Sequence, residues 1–385
     1  MKILFKNANI ITGTGNKFKG DILTEGSKIS LIKENIDCEY DSVINCEGKY
    51  ILPGFIDAHS HLGVFEESVG ESIYQDGNEM TDPCTPQVRT IDAFNPDDVA
   101  IKRALKGGVT TVMVVPGSAN PIGGQGAIFK LKSPVVDEMI IKEPSGLKMA
   151  LGENPKRVYG SQNKFPATRL GTAAVIRDFF IKVKNYSEKK NKCTEKGEIF
   201  DSYDIKMEIG EKVLNKEIPA RIHAHRKDDI LTAIRLSEEF GFDLIIEHAT
   251  EAYKIADFIK EKNIPLVLGP LFGFRTKLEL KDKTYESIKI LNEKGVLTAL
   301  MCDHPVIPLE QTIVQAGAAL KYGAKEDDLI KMLTVNPAKI LGIDSFTGSI
   351  EEGKDADIVI WSGYPFEYKS VVEKVFIEGK EVFSE

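Results

Sequence analysis

The sequence predicts an α/β protein: a parallel barrel of βα units with a small β-rich unit assembled from both chain ends. Three observations carry this. Residues 1 to about 50 and the last forty read as short strands separated by turns. The middle of the chain alternates short apolar runs with helical patterns. All 6 histidines lie at or just past the end of an apolar run, where the strands of a barrel would converge on one rim.

At the N-terminal end, Ile3-Leu-Phe, Ala8-Asn-Ile-Ile, Asp21-Ile-Leu and Lys28-Ile-Ser-Leu-Ile are strand candidates, with Thr12-Gly-Thr-Gly as a turn. The first barrel strand then runs to His59 and His61. Asn95 is expected to cap a helix that opens on Pro96, carries Asp97 and Asp98 in its first turn, and stops at Gly107-Gly108. Val109-Thr-Thr-Val-Met-Val-Val follows as a buried strand. Later, a strand ends at His223, and a helix with Ile230, Ile234 and Phe240 on one face stops at Gly241. The next strand carries His248. A helix through Ile255 and Phe258 leads to a strand ending at Gly269, and one through Ile288 and Leu291 stops at Gly295. Val296-Leu-Thr-Ala-Leu-Met delivers Asp303.

Spacing orders the rim. His223 and His248 are 25 residues apart, one βα unit, and Asp303 lies 55 beyond His248, two units. If Asp303 ends the eighth strand, His248 ends the sixth, His223 the fifth, and His59 and His61 the first. Residues 184–202 have no apolar period and read as a solvated insertion. At the C-terminal end, Ala356-Asp-Ile-Val-Ile-Trp is a strand and Val375-Phe-Ile-Glu-Gly-Lys-Glu-Val-Phe a hairpin.

Composition narrows the function classes. With 385 residues, 42% of them apolar, the chain can bury one barrel-sized core and a smaller one. A net charge of −8 argues against nucleic-acid binding, which needs basic surface. No run approaches the roughly 18 apolar residues of a membrane span. The N-terminus turns polar too early for a signal peptide, and 5 scattered cysteines without a Cys-x-x-Cys pair fit reduced thiols. The expectation is a cytoplasmic enzyme of small molecules, with no nucleic-acid or membrane partner; a homodimer is the base-rate oligomer.

The chemistry follows from the donor set. Two His-x-His pairs, His59/His61 and His223/His225, join His248 and Asp303, giving nitrogen and carboxylate ligands suited to Zn²⁺ with positions left for water. A bound metal lowers the pKa of water from 15.7 to roughly 7. Asp303 can then take the water's proton and pass it to a departing nitrogen.

Pro53-Gly-Phe-Ile-Asp-Ala-His-Ser-His, Gly107-Gly-Val-Thr-Thr and Gly353-Lys-Asp-Ala-Asp-Ile-Val together resemble the amidohydrolase superfamily, most of all its imidazolonepropionase-related and Xaa-Pro dipeptidase-like members. The resemblance spans essentially the whole chain. It implies a (β/α)₈ TIM-like barrel at 53–344, and a composite β-sandwich from 1–52 and 345–385. It also implies one or two divalent metals, most simply Zn²⁺, held by His59, His61, His223, His248 and Asp303, with Asp303 and His248 as the catalytic pair. The fourth-strand bridge of two-metal members has two candidates, Lys148, carboxylated, and Glu153. His225 and His304 are assigned to substrate contact or support of the ligands, and Arg157 and Arg226 to a substrate carboxylate. Deaminases of the superfamily place a glutamate shortly after the fifth-strand histidine. His223-Ala-His225-Arg226-Lys227 has none, which favours hydrolysis of an amide or cyclic amide, with an Xaa-Pro-type dipeptidase or a deaminase as alternatives.

Overall fold

The structure, a computed structural model, describes residues 1–67 and 75–385. Both chain ends enter one sheet. β1 (Lys2–Ile11), β2 (Lys17–Glu25), β3 (Lys28–Lys33), β4 (Ser42–Asn45) and β5 (Tyr50–Pro53) supply its N-terminal part. The barrel follows as β6 (Phe55–Ser60), β7 (Val109–Val114), β8 (Ile122–Lys130), β9 (Ile140–Ala150), β10 (Ala220–Ala224), β11 (Leu244–His248), β12 (Leu266–Leu268) and β13 (Thr298–Leu300). Finally β14 (Ile358–Trp361), β15 (Val372–Ile377) and β16 (Lys380–Ser384) return to the first sheet.

The terminal sheet runs β16-β15-β14-β5-β1-β2-β3, with β4 on the side of β1. C-terminal β14 therefore docks beside β5, pairing Ile358 with Pro53 and Trp361 with Tyr50. Phe5, Ile22, Ile51, Ile358 and Phe376 fill its core, drawn from both ends of the chain. The expected hairpin is present: Glu378 and Gly379, at φ 50° and 73°, join β15 to β16 in the doubly left-handed turn that matches strand twist.

The barrel strands follow chain order, β6 to β13, so the predicted ranks hold: His59 lies on the first, His223 on the fifth and His248 on the sixth, while Asp303 follows the eighth. His61 N–H donates to the His304 carbonyl at 3.0 Å, and the Asp57 carboxylate accepts from Cys302 N–H at 2.9 Å, tying the first strand to the last. Ile56, Ala58, Met113, Ile245, Val267 and Ala299 fill one core with residues of the helix Val335–Leu341.

Three local expectations need correction. First, β8 is antiparallel to both β7 and β9. Residues 115–121 between β7 and β8 are too few for a helical crossover, which takes a dozen or so residues, so the chain reverses instead. Second, the helix after β6 is Val99–Lys106, capped by Asp98, whose carboxylate accepts from Ala100 N–H at 3.0 Å; Asn95 instead accepts from Asp97 N–H. Third, residues 184–196 are the solvated end of a 28-residue helix, Arg169–Lys196. Ile176, Phe179, Phe180, Val183 and Tyr186 bury one face of it, its lysines and glutamates are good helix formers, and Lys190 pairs with Glu208 and Glu211 of the next helix, Ile205–Leu214, at 2.6 and 2.7 Å.

A buried ion cluster joins the two parts. Lys130, at the end of β8, places Nζ 2.5 Å from Asp355, 3.0 Å from Asp357 and 3.3 Å from Glu378. Among the described residues no helix is long and apolar enough to cross a membrane.

Candidate metal centre

Two groups of buried donors lie at the strand ends: His59, His61 and Asp303 in one, His223, His225 and His248 in the other, each with ligand atoms mutually within 4.8 Å. The rings of His59 and His248 are 5.2 Å apart, so the groups adjoin. Strand alternation places His59 and His61 on one side of β6 and its extension, and His223 and His225 likewise on β10. His248 and Asp303 need more than alternation. Both hold left-handed backbone, φ 69° and 55°, which turns side chains at the end of a strand toward the axis.

Hydrogen bonds aim the rings. His61 donates Nδ1–H to the Val115 carbonyl at 2.8 Å, and His248 donates Nδ1–H to the Gly269 carbonyl at 2.9 Å. The Nδ1 of His225 meets the Thr250 hydroxyl at 2.8 Å. In His61 and His248, with the Nδ1 proton given to a carbonyl, Nε2 carries the free lone pair. The His61 lone pair then faces Asp303 Oδ1 at 3.2 Å, as does His59 Nε2 at 3.1 Å. Two imidazole nitrogens converging on one buried carboxylate oxygen form a donor set that a divalent cation fits. Both nitrogens of His223 and Nε2 of His225 are buried without a hydrogen-bond partner. Uncompensated acceptors of this kind fit a metal site.

The electrostatics differ between the two groups: burial opposes the charge on His59, but Glu247 and Asp303 raise its imidazole above the ordinary value. Burial holds His225 and His248 well below the ordinary imidazole value and His223 down to about 4, leaving neutral rings able to ligate. Burial acts against ionisation of Asp303, but His59 and His61 outweigh it and hold the carboxyl well below the usual carboxylate range.

Beneath the histidines lies an ionic layer that sequence reasoning missed. Glu247, fully buried, places Oε2 3.0 Å from His59 Nδ1 and accepts Arg221 Nε–H on Oε1 at 2.8 Å. Lys148 also directs its ammonium at Glu247 Oε2. Burial opposes ionisation of Glu247, yet His59, Lys148 and Arg221 hold it well below the usual carboxylate range. Burial in turn lowers the Lys148 ammonium, against the pull of Glu247. Gly146 makes room for this layer: a Cβ there would meet Arg221 Cδ at 2.6 Å. Arg221 shares the parity of His223 on β10, a signal present in the sequence.

The other expected residues separate. Asp303, His61, His223, His225 and His248 line a cavity of about 570 Å³, and Arg157 lines it too. Glu153 opens the helix Glu153–Gly160 and gives its backbone N–H to Glu279 at 3.0 Å. Glu279, another residue the sequence did not reveal, is buried with Oε1 3.7 Å from His225 Nε2 and 3.9 Å from His223 Nε2. Its partner Lys277, at 2.6 Å, also lines the cavity. Arg226 turns away into a two-bonded ion pair with Asp228, at 2.9 and 2.7 Å. His304 is buried outside both donor groups, and burial lowers its imidazole to about 4.

The described site can be set beside known proteins. The Amidohydrolase family model matches residues 50–382. An amidohydrolase crystal structure from Thermotoga maritima MSB8 is 61% identical, covers 100% of both chains and superposes with a TM-score of 0.98. Amidohydrolase tasK of Hapsidospora irregularis is 28% identical over 95% of this chain, which spans 40% of that protein's length. A dihydroorotase of Thermoanaerobacter sp. (strain X514) is 27% identical over 99% of this chain and 92% of its own. An imidazolonepropionase of Picrophilus torridus is 24% identical over 94% and 92% respectively. A Xaa-Pro dipeptidase structure with bound methionine shares the fold, at 17% identity and a TM-score of 0.63 over 100% of both chains.

Proposed function

The chain belongs to the amidohydrolase family, metal-dependent hydrolases of carbon–nitrogen bonds, and from that premise we propose that it cleaves an amide or cyclic amide of a small molecule with Zn²⁺ at the barrel mouth. The observation that carries this reading is the pair of adjoining buried donor groups, in which both nitrogens of His223 and Nε2 of His225 have no hydrogen-bond partner. His59, His61 and Asp303 hold one ion in this reading, and His223 and His248 face the position of a second. When bound, such a metal supplies Lewis acidity and makes a nucleophilic water available at neutral pH.

The protein groups do the rest. Asp303, ionised and open to the cavity, accepts the proton of the attacking water and returns it to the departing nitrogen. His248, fixed by its bond to Gly269, turns its free Nε2 to the same space as a ligand for the second ion. Arg157, with Lys277 beside it on the cavity wall, receives a substrate carboxylate. All five cysteines are free, which supports a reducing cytoplasm as the site of action.

The test pairs metal analysis with turnover. Protein purified without added metal is assayed by plasma mass spectrometry for metal per chain. It is then stripped, reconstituted with Zn²⁺, and offered N-acyl amino acids, cyclic amides and dipeptides. Zinc-dependent release of amine or ring-opened acid is expected. A chain that retains no divalent metal and hydrolyses nothing after reconstitution sinks the reading. Amino acid release from dipeptides alone would make it a dipeptidase instead.

A further inference from the structure

We propose that Lys148 stays an unmodified ammonium that positions His59 through Glu247, and that the second metal is held by three histidines, His223, His225 and His248. This deepens the metal reading above and rests on it. It gives His225 a ligand's role and leaves the fourth strand without a bridging carboxylate.

Lys148 carries the first half. Its ammonium is on Glu247 Oε2, the same oxygen that lies 3.0 Å from His59 Nδ1, while Arg221 holds Oε1 at 2.8 Å. Glu247 thus stands behind His59 as a carboxylate orienting a ligating imidazole, whose Nε2 points the other way toward Asp303. Lys148 and Arg221 together neutralise that buried carboxylate. The lysine is 1% exposed and does not line the cavity that the histidines line. A carboxylate grafted onto its Nζ would stand against the carboxylate of Glu247. It would also replace an attraction with a repulsion in a site shielded from water.

His225 carries the second half. Its ring centroid is 4.7 Å from that of His223 and 4.5 Å from that of His248, and the latter two are 4.1 Å apart. Its Nδ1 is spent on Thr250, so Nε2 alone is presented, buried and without a hydrogen-bond partner. Three neutral imidazoles bind a divalent ion through nitrogen and leave a fourth position open, a known arrangement for catalytic zinc. Glu279 Oε1, 3.7 Å from that Nε2, supplies nearby negative charge to balance the ion.

The experiment counts metal after chelation, reconstitution with Zn²⁺ and dialysis, in the full chain and in two variants. A second measurement looks for a carbamate carbon by ¹³C NMR in the wild type equilibrated with ¹³C-bicarbonate. Two ions in the wild type, two in Lys148→Met, one in His225→Asn and no carbamate resonance are expected. A carbamate resonance, a Lys148→Met protein that holds one ion, or a His225→Asn protein that holds two each overturns the proposal. So does a wild type that holds only one ion, an outcome that leaves the family chemistry standing. A wild type that holds none refutes the metal reading itself. In Lys148→Met, Arg221 still neutralises Glu247, and circular dichroism checks the fold. If that variant does not fold, the wild-type resonance and His225→Asn still decide the matter.

Discussion

Asp303 and His248 owe their reach to backbone that side-chain-bearing residues rarely adopt. Each left-handed residue costs on the order of 1 kcal/mol, which the surrounding strands must absorb. That backbone also explains which residues the sequence revealed. His59, His61 and His223 follow simple alternation, so their convergence was readable. Glu247 and His248 are neighbours, and alternation allows only one of them to face the axis. Both do, because φ at His248 reverses its side chain, and no residue pattern announces such a turn. Glu279 sits in a single 3₁₀ turn, Leu278–Leu280, with no period to read. Two predictions belong here. Asp303→Asn keeps the shape but not the proton acceptor, so turnover should fall by about 10²- to 10⁴-fold. Steady-state kinetics with an unchanged thermal transition would support it, and full activity would refute the role. Gly146→Ala sets a methyl against Arg221 at φ 156°, and should cost about 2 kcal/mol in urea denaturation; an unchanged midpoint would show that Arg221 moves freely.

Among the elements, strands and helices with an apolar period were legible, and the exceptions have physical causes. Asn95-Pro96 resembles a helix start, yet Asp98 wins because its carboxylate serves three N–H groups. They belong to Ala100, Gly63 and Glu67, at 3.0, 3.1 and 3.3 Å, and the last two lie in the segment just after the first His pair. Asp98→Ala should therefore cost about 2 kcal/mol, beyond the typical single cap, and Asn95→Ala less than half of that. Equal losses for the two variants in chemical denaturation would contradict the assignment. The reversed strand β8 escaped because residue type does not encode direction; only the shortness of the preceding link did. The long helix Arg169–Lys196 buries Ile176, Phe179, Phe180, Val183 and Tyr186 as a stripe at helical spacing, a signal the sequence did carry; only its solvated end beyond Tyr186 has no apolar period to read.

At the scale of the molecule, the union of the two chain ends was readable from their matching strand composition, while the device that joins them to the barrel was not. A lysine at the end of an apolar strand gives no hint that Asp355 and Asp357 will surround it. Lys130→Met leaves those carboxylates without their cation and should lower stability by about 3 kcal/mol. Burial opposes the charge on Lys130, yet its carboxylates raise it above the ordinary 10.5. Its contribution is complete below pH 10.5 and lost as pH rises through the higher folded value. For Asp355, burial is likewise outweighed, by Lys130 and Lys28, which hold it below the ordinary 3.8. Its contribution is complete above that value and lost as pH falls through the lower folded one. The gap between wild type and Lys130→Met in urea midpoint should thus be flat from pH 5 to 9 and shrink in strong alkali. A gap that varies across neutral pH would assign the effect to other groups. The pairing of β5 with β14 has one more consequence, for the order of biosynthesis. Tyr50–Pro53 leave the ribosome some three hundred residues ahead of Ile358–Trp361. Until the last segment is translated, β5 has an open edge on that side, and the nascent chain carries an adhesive border that only its final strands can seal.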